Sequence, residues 1–195
     1  MQEKWSFRRE ILRKALHMSS IFVVLLYLIL KEYYSKEIAL LSLLFILLLF
    51  MIYEIIRLKV KNIRLPFSDV ARYKEKSKFT SGIYVIASIL ICFAVFDEKI
   101  AISAILMLIF GDVVVGLLRH KKNIKKSWNR RIYKSAIFVE FLVDFGLAWF
   151  VLEMFWVSFF MAAVAVASEA IFDSEDNLAI PIFSGFVGQM ILLVM

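Results

Sequence analysis

Seven stretches of this chain run for 16 to 21 residues with scarcely a charge, at about 15–30, 38–58, 79–96, 100–118, 135–152, 154–172 and 178–195. An α-helix rises about 1.5 Å per residue, so about 20 residues cross the ~30 Å hydrocarbon core of a bilayer. Lipid offers the backbone no hydrogen-bond partner, which limits a spanning chain to helices or closed barrels. A barrel strand would alternate in polarity over about ten residues, whereas Leu40 to Ile52 is almost wholly apolar. The expected fold is therefore all-α: a polytopic transmembrane bundle of about seven spans, forming one membrane-embedded domain over residues 1–195. Arg13 and Lys14 open the first stretch, but no small-residue cleavage site follows, so it reads as a retained helix and not a signal peptide. Composition agrees, with 62% of residues from the set AVILMFWYC against about 45–50% apolar in soluble domains. The single cysteine, Cys92, lies within an apolar run and excludes both a disulfide framework and a cysteine metal site.

The basic residues sort by loop. Lys4, Arg8, Arg9, Arg13 and Lys14 lie at the N-terminus, eight more between 57 and 78, and another eight between 119 and 134. With seven spans these three segments share one side, so 21 of the 24 basic residues face it. Only Lys31, Lys36 and Lys99 fall opposite. By the positive-inside rule the N-terminus is cytoplasmic and the C-terminus outside. The net charge of +7 is then mostly topology, leaving nucleic-acid binding little to explain.

Ionisable groups inside a span cost about 2.5–3.5 kcal/mol each at mid-helix, so those that remain call for a function. Asp112 lies six residues before the end of the fourth stretch, about 9 Å deep at helical rise. Glu140 and Asp144 sit four apart on one face of the fifth, and Glu169 lies near the cytoplasmic end of the sixth. Asp173, Glu175, Asp176 and Asn177 form an acidic turn between the last two spans, against the charge rule. A turn of this kind suits salt bridges to the basic loops or a divalent cation, since Mg²⁺ takes one or two carboxylates with phosphates and water. At the start of the chain Glu10, Arg13, Lys14 and His17 follow the spacing i, i+3, i+4, i+7 and share one helix face. The plainer reading of that face is an amphipathic helix with its cations among lipid headgroups. Lys134-Ser135 opens the fifth stretch, where free N–H groups and the helix dipole favour an anion. All these features except Asp144 map to the cytoplasmic ends of the spans, a combination suited to phosphoryl transfer, where catalysis is mainly positioning and charge neutralisation. Six glycines in the whole chain and no Walker or kinase glycine loop mean that a nucleotide would be held in another way.

At these same residues the chain resembles the membrane family of dolichol kinases, phytol kinases and CTP-dependent diacylglycerol kinases. The segments that carry the resemblance are Glu10-Ile-Leu-Arg13-Lys14-Ala-Leu-His17, Gly111-Asp112, and Glu169-Ala170 followed by Asp176-Asn177-Leu178-Ala179-Ile180-Pro181, with a weaker one from Glu75 to Tyr84. The resemblance implies an integral membrane enzyme that transfers the γ-phosphate of CTP, with Mg²⁺ or another divalent cation, onto the hydroxyl of a lipid alcohol such as a polyprenol or dolichol. It implies an active site on the cytoplasmic side. Asp112 and Asp176 would hold the metal, with Asn177 on metal or phosphates. Arg13, Lys14, Lys134 and Ser135 would meet phosphate, and His17 or Glu169 would take the alcohol's proton. The partners implied are the lipid alcohol, the nucleotide and the membrane, with no nucleic acid, and a homodimer is among the assemblies open to such a chain. The chain departs from the family where Ala136-Ile137-Phe138 follows Lys134-Ser135 in place of an x-Glu-Gly sequence, and Glu140, one turn further in, is a candidate replacement for that acid.

Two other readings stay open. A cytidylyltransferase making a CDP-lipid would use similar chemistry, but its Lys-Arg and Lys-Asp signature near the last span is not seen. A proton-coupled transporter would use Glu140 and Asp144 as its relay.

Overall fold

The computed structural model describes residues 7–59, 78–111, 113, 130–172 and 176–195, with 7–11, 13 and 130–134 described by main chain alone. All regular structure among the described residues is helical. The order is α1 (Phe7–Ser19), α2 (Ile21–Tyr33), α3 (Lys36–Lys59), α4 (Ser81–Val95), α5 (Glu98–Leu106) continuing into a π turn (Met107–Gly111), then α6 (Arg130–Leu152), α7 (Phe155–Ile171) and α8 (Asp176–Val194). Among the described residues, four helical segments are long and apolar enough to cross a membrane: Lys14–Tyr33, Lys36–Lys59, Ser135–Leu152 and Asp176–Val194. Ser81–Val95 and Phe155–Ile171 are shorter apolar helices.

Three boundaries differ from the sequence expectation. The first apolar stretch is divided at Ser20, whose Oγ donates to the His17 carbonyl at 2.6 Å and so ends α1 in a turn. The fourth changes hydrogen-bond register at Met107 instead of continuing as one α-helix. The basic segment 119–134 is helical from Arg130, because Arg, Lys and Tyr continue a helix and nothing there breaks one.

Many large apolar side chains point outward, while small and polar ones are found inside alongside apolar ones such as Phe93, Ile100 and Met161. Phe22, Phe45 and Phe150 are 69%, 62% and 85% exposed, whereas Ser88, Ser103, Ser158 and Ser184 are fully buried. Hydrocarbon is as apolar as leucine, so burying a leucine gains little there, while small residues let helices approach closely. Each of these serines returns its hydroxyl to a main-chain carbonyl of its own helix three or four residues back, at 2.6–2.8 Å.

The chain divides into two compact units, Met1–Leu90 and Ile91–Met195, with the division inside α4. In the first, α2 packs on α3. The buried Glu54 near the end of α3 holds a network there. It accepts from Arg57 Nε at 3.0 Å and Nη2 at 2.7 Å, and from Thr80 N–H and Oγ1, both at 3.1 Å, while Arg57 also donates to the Lys78 carbonyl at 2.7 Å. The end of α3 and the start of α4 are thus tied together.

In the second unit α7 packs against both α6 and α8, and α5 against α6 and α8. Gly188 brings α8 against Met161 of α7 and Ile100 of α5, and Gly185 brings it against the ring of Phe96. Gln189 accepts from the Asp97 N–H at 2.8 Å and donates to Asp97 Oδ2 at 2.7 Å. The start of α5, the two-residue turn Glu153–Met154 and the last turns of α8 therefore share one end of this unit. Trp149 and Trp156 are exposed there in a ladder of aromatic rings, as residues at a membrane–water boundary often are. The end of α7 and the beginning of α8 lie toward the other end, and the π turn lies against the middle of α6.

Candidate functional site

Buried acidic groups of this unit lie from the middle of α6 toward that second end. Glu140 and Asp144, four residues apart on α6, lie on one face and are 2% and 1% exposed. Asp144 lies about 13 Å along α6 from Ser135, a depth close to that of Gly111 on the neighbouring π turn. Their main chain and side chain meet: a Cβ placed on Gly111 would stand 2.7 Å from Oδ1 of Asp144. Only glycine lets the backbone come so near this carboxylate. Glu169, in the last turn of α7, is 9% exposed and close enough to Asp144 for the two charges to repel. Oδ1 of Asp144 is a buried oxygen with no hydrogen-bond partner. An unmatched buried carboxylate oxygen is costly in a low dielectric. π turns inside α-helices occur often at functional sites, and this one ends at the residue touching Asp144.

The beginning of α8 is built from the acidic turn. Oδ1 of the half-buried Asp176 accepts the Asn177 N–H at 2.9 Å, taking up one of the amides that every helix start leaves open. Asn177 itself is 5% exposed. Pro181 has no N–H to offer the Asn177 carbonyl four residues back, so that carbonyl stays outside the helical ladder. Asn and Pro in this segment are therefore physically linked.

In the first unit, α1 turns Lys14 and His17 inward. Lys14 and His17 are 3% and 8% exposed, and Leu12, Leu16 and Met18 face out. This differs from a helix whose cations lie among headgroups, where Lys14 would be exposed. Both side chains engage other groups, as a buried lysine in particular must.

Of the residues expected from the sequence, Asp112 lies outside the described residues, as do the side chains of Arg13 and Lys134. Ser135 is exposed. No three His, Cys, Asp or Glu among the described residues gather as a ready-made metal shell. The structure brings together Asp144, Gly111 and Glu169, and so places Asp144 with the polar groups from which its sequence position had set it apart. Helical rise alone, counted from Ser135 and from the end of the fourth stretch, would have shown the two depths to be similar. Glu54 was also missed, though an acid three residues before Arg57 in an apolar run is a signal for an inward ion pair. Comparison of the chain with protein-family models, with curated proteins and with solved structures finds no match.

Proposed function

We propose that this chain is an integral membrane kinase that transfers the γ-phosphate of CTP to the hydroxyl of a polyisoprenoid alcohol. In this reading seven segments span the bilayer, the N-terminus and active site are cytoplasmic, and the C-terminus is outside. The observation that supports it is buried Asp144 against Gly111 of the π turn, with Glu169 near enough for the charges to repel. Phosphoryl transfer needs little beyond positioning and neutralised charge, and one or two carboxylates suffice for Mg²⁺ when phosphates and water complete its shell. The unmatched oxygen of Asp144 suits a cation. A divalent cation held by Asp112 and Asp176 would supply charge neutralisation to the phosphates.

Asp112 and Asp176 are the proposed metal ligands, Asn177, Lys134, Ser135, Arg13 and Lys14 the proposed phosphate contacts, and His17 or Glu169 the proton acceptor. The alcohol oxygen attacks the γ-phosphorus, the bond to the β-phosphate oxygen breaks, CDP leaves, and the hydroxyl proton passes to the acceptor. The test is to incubate membranes carrying the protein with CTP labelled at the γ- or the α-phosphate, against dolichol, phytol, geranylgeraniol and diacylglycerol. Label from the γ-position on a polyisoprenoid alcohol is the expected result. Label from the α-position would mean CDP-lipid synthesis instead, and failure with all four acceptors ends the kinase reading.

The depth and burial of Asp144 favour a second reading, a proton-coupled transporter. Under it Asp176→Asn leaves function nearly unchanged and proton flux into proteoliposomes needs no nucleotide. Under the kinase reading Asp176→Asn lowers label transfer about a hundredfold or more, the scale of a lost charge-stabilising contact.

A further inference from the structure

We propose that Asp144, with Glu169 beside it, binds a divalent cation within the second unit. This deepens the kinase reading, on which it rests for the phosphate oxygens that complete the shell, and it leaves His17 as the proton acceptor. Two carboxylates near each other in a lipid-embedded bundle repel, and the repulsion is strong where water is scarce. Asp144 has no hydrogen-bond donor at Oδ1, is 1% exposed, and stands against a glycine whose missing side chain admits it. Such a group is retained in a membrane when a positive charge answers it. Glu169 lies in the last turn of α7, so the pair extends from mid-span toward the end where Asp176 begins α8.

The experiment uses the full chain in lipid nanodiscs, titrated with Mn²⁺ and followed by electron paramagnetic resonance of the free ion, with Mg²⁺ as competitor. Asp144→Asn, nearly the same shape, is expected to weaken Mn²⁺ binding about tenfold or more. Gly111→Ala, whose Cβ would press on Oδ1, is expected to weaken it as well, while Gly146→Ala, whose Cβ meets nothing within 4 Å on the same helix as Asp144, leaves it unchanged. Circular dichroism checks that each variant is folded, and if Asp144→Asn is not, Gly111→Ala against Gly146→Ala decides. Wild-type affinity in Asp144→Asn overturns the inference. So does an infrared carboxylic-acid band, assigned to Asp144 by its loss in Asp144→Asn, that persists at saturating Mg²⁺, because a proton then holds the place. Mn²⁺ binding through Asp144 without label transfer keeps the site and ends the kinase; label transfer with Mn²⁺ binding indifferent to Asp144 does the reverse.

Discussion

Glu54 shows what one side chain does when its charge has no water to return to. Its two oxygens accept four hydrogen bonds, two from Arg57 and two from Thr80. Removing one partner of a buried ion pair strands the other and costs about 3–5 kcal/mol, whereas losing a single neutral hydrogen bond costs about 1 kcal/mol. Glu54→Ala is therefore expected to lower thermal stability in detergent several times more than Thr80→Val, and equal losses would mean that the Arg57 pair contributes nothing. The sequence held only part of this residue-scale picture. Spacing alone put Lys14 and His17 on one face, and burial of both agrees. Nothing in spacing could pair Glu54 with Thr80, 26 residues later, because that contact depends on how α4 begins beside the end of α3. Asp144 escaped for a similar reason: depth along its own helix was legible, but the glycine opposite belongs to another.

At the scale of an element, α8 depends on two glycines with different neighbours. A Cβ at 185 would strike the ring of Phe96, and one at 188 the thioether of Met161. A ring moves only as a plate, while methionine has three rotatable bonds and yields. Gly185→Ala should thus destabilise by about 1–3 kcal/mol and Gly188→Ala by less, read as the shift in unfolding midpoint of the two variants. The turn between α6 and α7 offers the opposite sign. Glu153 has φ 57°, in the left-handed region that glycine enters freely. Its N–H closes on the Trp149 carbonyl at 2.9 Å, as at many helix ends. Glu153→Gly is expected to raise stability by about 0.5–1 kcal/mol, once the relief of strain is set against the greater freedom of an unfolded glycine. Most helices were legible from their apolar runs. The π turn was not, since Met107-Leu-Ile-Phe-Gly111 reads as ordinary spanning sequence and hydropathy carries no record of hydrogen-bond register.

For the whole molecule, the number of large apolar side chains on the outside is the most direct sign of its solvent. Exposed Phe22, Leu41, Phe45 and Phe150 would aggregate in water and are at home in lipid. Cys92 is fully buried and is the only cysteine of the chain, so cysteines introduced elsewhere can be mapped one at a time. With seven spans, a cysteine at Glu153 is expected to react with an impermeant maleimide from outside the cell, and one at Lys126 only after the membrane is opened; the reverse pattern would invert the topology. Helix lengths bear on where such a protein can reside. α4 has 15 residues and α7 has 17, about 22 and 26 Å, whereas α3 has 24 and reaches about 36 Å. If all three span, as the seven-span reading has it, no single bilayer thickness suits them: a core of ~30 Å leaves α3 tilted and draws lipid inward around α4 and α7. Lipids with shorter acyl chains should therefore favour this protein, and its unfolding temperature, measured across vesicles of increasing chain length, should fall as the membrane thickens.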